Sequence, residues 1–300
     1  MANMFNNTLF ESLGMTACPE HFIEDAACHF HIVNNNLTYI DFVKTCNYMN
    51  RTPEYLYCLL ISFVICHILE KLALYLGKNL NIYKSLNEDD RIRYPNKIVS
   101  YLHAIISTAL AVWSLLKSTD VWAFGAGGFH WTFPGVLGIS VGYFIYDLLF
   151  FFRMKIAGQN VAMVVHHILC IVAMTYNVNY RIGLIYNIAL LFTEVTTPLY
   201  HHRWFFLKLG MGDSLAYKIN GLLFWILFFV CRVVWCFIQN VHLYAIRKTY
   251  EMIPYSIRGP IIVPSLLFLL NLFWFVQITT LVLKGMSSKK KGDTKTIKKE

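Results

Sequence analysis

Carboxylates and imidazoles held close together can trade protons, carry an acyl group or grip a polar headgroup. In this chain such side chains sit where they are costly. His103, Asp147, Glu194 and the adjacent pair His166 and His167 interrupt runs otherwise built of Leu, Ile, Val and Phe, and Arg232 does so within "FFVCRVVWC". An ionisable group at the centre of a membrane helix costs about 2.5–3.5 kcal/mol on insertion scales, so it is expected to face a protein interior or a wet cavity. Neighbouring residues on a helix point about 100° apart, so the two adjacent imidazoles cannot share one target. One is expected to face a cavity while the other bonds to a neighbouring helix, fixing its position or tautomer. A zinc chelate prefers an i,i+4 pair, and only Cys170 stands at that spacing, so no metal is expected. Arg232 lies too deep to reach an interface and calls for a carboxylate or carbonyl partner. Asn271 adds a neutral polar group.

The elements that must position these residues are membrane helices. Of 300 residues, 57% are hydrophobic and only 14% charged, against about a quarter charged in a soluble domain. The mean hydropathy is +0.49. Seven apolar runs approach or exceed the ~20 residues that a spanning helix needs: Glu54–Leu76, Lys97–Leu116, Pro134–Phe152, Asn160–Val178, Ile182–Tyr200, Leu215–Leu243 and Ile261–Leu283. They are continuous rather than alternating, which excludes a barrel pattern. The expected fold class is all-α, a multi-pass transmembrane helical bundle of about seven spans.

Successive spans run in opposite directions, and each residue advances a helix by about 1.5 Å. His103 and Asp147 then lie about 8 Å from one face of the membrane, and the histidine pair and Glu194 roughly 9–10 Å from the same face. A shared layer of acids and imidazoles exceeds what gluing helices together requires. By this count Arg232 falls past the midplane. His67 is expected to pack between helices, Glu70 and Lys71 to reach out toward the interface, and His201 and His202 to be ordinary surface residues.

Residues 1–53 are polar, carry Cys18, Cys28 and Cys46, and contain glycosylation sequons at Asn6 and Asn36; a third, at Asn50, is followed by the unfavourable Pro53. No cleavable signal peptide is evident at the start. Basic residues cluster after the first span (Lys78, Lys84, Arg91, Arg93, Lys97) and in the tail "SSKKKGDTKTIKKE". The positive-inside tendency makes both cytoplasmic, so an odd number of spans puts the N-terminus on the luminal side, where cysteines and sequons make sense. Arg247, Lys248 and Arg258 run against that pattern. The formal charge of +9 thus points to orientation and anionic headgroups rather than nucleic acid. Lys298 resembles a dilysine retrieval signal at imperfect spacing.

The segments "NKIVSYLHAI", "SVGYFIYDLLFFF", "VVHHILCIVAMTYNVNYRIG", "LLFTEVTTPLYHHRWFFLKLG" and "INGLLFWILFFVCR", with "NLFW" at 271–274, are similar in order and spacing to the TLC-domain family. That family takes in translocation-associated membrane proteins, ceramide synthases and the ceroid-lipofuscinosis membrane protein. The resemblance covers residues 90–285, preceded by a first span and loop at 54–89 and followed by a basic tail at 286–300. Ceramide synthase chemistry, N-acylation of a sphingoid base by acyl-CoA, would make His166 or His167 base or nucleophile and Glu194 its orienting group. The family's acidic motif departs here: Thr193 stands for its histidine, Glu194 for its first aspartate and Thr197 for its second. "EVTTPLYHHRWFF" instead resembles the shorter, lipid-homeostasis branch. That branch implies an endoplasmic reticulum membrane protein holding an acyl lipid among His103, Asp147, His166, His167, Glu194, Arg232 and Asn271. It implies no cofactor; acyl-CoA enters only as a substrate of the acyltransferase alternative. Membrane lipids are the expected partners, with a homo-oligomer or other membrane proteins compatible. A cargo receptor or assembly factor is a further alternative.

Overall fold

The computed structural model describes residues 27–28, 51–118, 129–180, 182–245, 247 and 259–297, with 285–297 given by backbone alone. Asn6, Asn36, Asn50, Cys18, Cys46, Lys248, Arg258 and Lys298 lie outside the described residues. The chain is an all-α bundle in which, among the described residues, six helical rods are long and apolar enough to cross a membrane. Their outward faces carry large exposed hydrophobics such as Leu60, Ile61, Val64, Leu222, Phe237 and Val276. A soluble protein rarely exposes such a continuous belt, and lipid satisfies it. One short extended pairing, Ala27–Cys28 (β1) antiparallel to Phe129–His130 (β2), joins residues 27–28 to the end of the bundle where the third rod begins.

Helix α1, Thr52–Gly77, starts on Pro53 and buries one narrow seam that includes Tyr55, Ser62, Cys66 and Glu70. Five-residue α2, Asn81–Ser85, leads into α3, Glu88–Lys117. The sequence places the start of this span at Lys97, but α3 begins nine residues earlier. Asn87 caps it by accepting from the Asp90 N–H at 2.8 Å, and Glu88, Asp89 and Asp90 sit in its first turn, where carboxylates favour the helix dipole.

Helix α4, Thr132–Arg153, is the central rod and is buried on almost every side. Its Gly138 and Gly142 admit α1 to backbone contact. A Cβ on Gly138 would strike the Tyr55 carbonyl, and one on Gly142 would strike the Leu59 carbonyl and come within 2.9 Å of the Ser62 Cβ. Across this seam Ser62 donates to the Ile139 carbonyl at 2.7 Å. Small residues four apart permit such close helix approach in membranes.

After a 3₁₀ turn at Ala157–Asn160, α5 spans Val161–Tyr180 and buries His167, Cys170, Met174 and Asn177 along one face. Gly183, at φ +63°, turns the chain into α6, Leu184–Leu191, all of whose residues are buried. Here the expectation of an unbroken span over Ile182–Tyr200 fails. The rod passes through a 3₁₀ segment, Phe192–Thr196, before α7, Thr197–Lys208. Pro198 has no N–H, and its ring excludes the carbonyl four residues back, that of Glu194. The Thr197 N–H takes that carbonyl instead, and the Thr196 hydroxyl bonds the Thr193 carbonyl at 3.1 Å. A second irregular rod follows: α8, Leu215–Phe228, then a π-helical turn, Phe229–Val234, then α9, Trp235–Ala245. The last rod is α10, Val263–Ile297, whose spanning part ends at Lys284.

Candidate intramembrane polar site

Two buried polar knots form inside the bundle, and His167 belongs to the first. The first is centred on Asp147 of α4. Its Oδ1 accepts from Asn96 Nδ2 of α3 at 2.5 Å, and its Oδ2 lies 3.2 Å from His167 Nδ1 of α5. The His167 contact is close enough for strong electrostatic attraction but is not aligned as a hydrogen bond. Phe151 stacks parallel to the His167 ring, with 6.1 Å between centroids.

The second knot joins the two irregular segments. Arg232, in the π turn, is 6% exposed. Its Nε donates to Thr196 Oγ1 at 2.8 Å, and its Nη2 to Thr197 Oγ1 at 3.2 Å and Glu194 Oε1 at 3.4 Å. Its Nη1 reaches Asn271 Oδ1 of α10 at 3.5 Å, and its guanidinium lies over the Phe228 ring. The other Glu194 oxygen, Oε2, accepts from the Thr197 hydroxyl at 2.7 Å. A buried arginine keeps its charge, so this near-complete set of acceptors is what lets it stay in the bundle.

His103 of α3 stacks on Tyr143 of α4, 3.8 Å between centroids, and Tyr143 in turn donates to Ser100 Oγ at 2.8 Å. His166 turns away from Asp147: it meets Trp274 of α10 edge-on at 5.5 Å, and its Nε2 lies 3.8 Å from Cys170 Sγ. Its Nδ1 is buried without a hydrogen-bond partner. These groups form one cluster: the His166 and His167 rings are 5.4 Å apart between centroids, Tyr143 stacks on His103 and meets His167 at 6.3 Å, and Glu194 lies within electrostatic range of all three imidazoles. The structure therefore brings together His103, Asp147, His166, His167, Glu194, Arg232 and Asn271, contributed by the six segments α3, α4, α5, the 3₁₀ turn, the π turn and α10.

Three positions differ from the reading of the sequence. Arg232 joins the layer through Thr196, Glu194 and Thr197 rather than standing apart from it. The depth count ended the fifth span at Tyr200, whereas its rod runs on to Lys208; counted from there, Glu194 lies deeper and close to the level that Arg232 reaches counted from Leu215. Glu70 does not reach outward: it is 3% exposed and pairs with Arg153 Nη2 at 2.5 Å across the α1–α4 seam. His201 is not a surface residue but 4% exposed. His67 packs between helices as expected, with Nδ1 3.0 Å from the Phe63 carbonyl oxygen and its ring edge-on to Tyr146. Among the described residues no group of three His, Cys, Asp or Glu is placed to hold a metal ion. Asn96, Thr196 and Thr197 escaped the sequence reading as site residues. Asn96 preceded the presumed start of its span, and threonines in membrane helices are too common to signal anything alone.

This architecture is that of an integral, multi-pass membrane protein with a buried ionic layer. The family profile described as the TLC domain matches residues 93–280, and the chain belongs to that family. It is 26% identical over 220 residues to TLC domain-containing protein 4-A of Xenopus laevis, a match covering 72% of this chain and 85% of the relative. A Dictyostelium discoideum relative, TLC domain-containing protein 4 A, is 28% identical over 233 residues, covering 73% and 85%. Protein CLN8 of Mus musculus is 27% identical over 181 residues, covering 57% and 58%. Helix α1 precedes the matched region, yet α4 holds it by backbone contact through Gly138 and Gly142.

Proposed function

We propose that this protein acts in membrane lipid homeostasis by holding an acyl lipid between its helices, with the ionic layer taking the polar end. One observation carries the reading: acids, imidazoles and a guanidinium from separate helices converge on a single buried cluster. Such groups pay for their burial only where they serve a structural or ligand-binding task. His166 Nδ1 and His103 Nε2, both buried and unbonded, are the donors or acceptors left for a headgroup. Arg232 braces Glu194 and, with Asn271, closes the layer on the α10 side. The membrane is proposed to be that of the endoplasmic reticulum, with a luminal N-terminus and a cytoplasmic C-terminus. Lipid mass spectrometry of the purified protein tests the reading. A defined acyl lipid should copurify with the native chain and fall away when Asp147→Asn and Glu194→Gln are combined. An unchanged lipid profile in that variant contradicts it.

The acyltransferase reading is favoured by the same free His166 nitrogen within electrostatic reach of Glu194. In that reaction the amine nitrogen bonds the acyl carbon, the thioester C–S bond breaks, and the amine proton passes through the imidazole to the departing thiolate. Incubation with acyl-CoA and a sphingoid base should then yield an amide that His166→Ala and His167→Ala together abolish. Absence of amide across chain lengths rules it out.

A further inference from the structure

A second cluster lies toward the end of the bundle where α3 begins and α7 ends. His201 follows Glu194 by seven residues on the α6–α7 rod, a rise of about 10 Å. It is 4% exposed, and neither ring nitrogen has a hydrogen-bond partner. An enclosed imidazole with both nitrogens unbonded forfeits the hydrogen bonds it had in water, which a ligand oxygen would restore. Lys97, Glu194 and His202 lie within electrostatic range of it. Beside it α3 and α7 meet: the Tyr101 hydroxyl bonds His202 Nε2 at 3.0 Å, and the Lys97 ammonium lies 5.0 Å from the Tyr200 ring centre.

The nearby acids are already engaged. Asp90 pairs with Lys208, and Glu194 with Arg232 and Thr197. Among the described residues no carboxylate stands within ion-pair distance of Lys97. The local balance is thus cationic, with donors and without a counter-ion.

We propose that Lys97 and His201 form a phosphate-binding mouth between the polar layer and the bundle end, taking a phosphate group borne by a lipid or by a soluble compound. Lys97 supplies the charge, and His201 supplies a buried donor that fixes the phosphate oxygen. His202, about 100° round the helix and bonded to Tyr101, ties α7 to α3 beside the site. The mouth stands on its own geometry and does not depend on the acyl-lipid reading of the deeper layer.

The full-length protein in detergent, titrated by native mass spectrometry with dioleoyl phosphatidic acid and with dioleoylglycerol, tests this. The two share acyl chains and differ in the phosphate. The native chain should prefer phosphatidic acid by about tenfold, the scale of one charge-assisted hydrogen bond, and Lys97→Gln and His201→Leu should each erase most of that preference. His201→Leu removes unbonded polar atoms, so its melting temperature should hold or rise while the preference is lost. Pyrophosphate that displaces phosphatidic acid assigns the mouth to soluble phosphates as well; failure to displace assigns it to lipid headgroups. Equal affinity of the native chain for both lipids, or an intact preference in both variants, overturns the proposal. If neither lipid binds, the acyl-lipid reading fails by itself. Pyrophosphate binding weakened by Lys97→Gln then still supports the mouth, and its absence overturns it.

Discussion

Arg232 illustrates how a buried charge constrains everything around it. Its guanidinium donates to Thr196, Thr197, Glu194 and Asn271, so removing it leaves the Glu194 carboxylate enclosed and without its cation. Breaking one side of such a pair typically costs about 3–5 kcal/mol, whereas replacing both sides with apolar groups is often neutral or better. Arg232→Met should therefore lower the unfolding free energy in detergent by about that amount, and adding Glu194→Leu should recover most of it. A denaturant titration of the two variants reads both effects. Asp147→Asn keeps the shape of its contact with Asn96 but removes the charge beside His167; a smaller loss of about 1–3 kcal/mol is expected in the same titration. At this scale much of the site was visible in the sequence, because an acid or imidazole inside an apolar run announces its own cost. Its partners were not: Asn96, Thr196 and Thr197 are neutral and common, and only the fold shows which charge each one satisfies.

At the scale of the element, two irregular turns make the site. The 3₁₀ segment Phe192–Thr196 and the π turn Phe229–Val234 present Glu194 and Arg232 to each other. The Pro198 ring enforces the first. Pro198→Ala permits a continuous α-helix there and rotates Glu194 away from Arg232, so copurified lipid should fall while expression holds; mass spectrometry of the variant decides it. The glycine seam is a second device. Gly142→Ala drives a methyl against the Leu59 carbonyl and should depress the melting temperature, whereas Gly158→Ala, with open space around its Cβ position, should leave it unchanged. Span positions followed directly from apolar run length, since the bilayer sets that length. Helix starts and breaks did not. The Asn87 cap and its three acids looked like a polar loop, and the 3₁₀ and π turns have no hydropathy signature.

For the whole molecule, the outward belt of Leu, Ile, Val and Phe leaves the lipid bilayer as the solvent of the folded state. Orientation rests on the basic loop and tail. Glycosylation mapping should find glycans that disappear with Asn6→Gln and Asn36→Gln, together with a tail open to protease in sealed microsomes. A glycan-free N-terminus with a protected tail reverses the orientation. The central claim is narrower than topology, namely that a lipid enters the bundle and meets the buried layer. It is tested most directly by photocrosslinking with a diazirine-bearing acyl lipid and mapping the adducts by peptide mass spectrometry. Adducts beside the layer, on the α5 peptide holding His166 and the α10 peptide holding Trp274, are the predicted result. Adducts confined to the outward face of α1, at Leu60, Val64 and Ile68, contradict it.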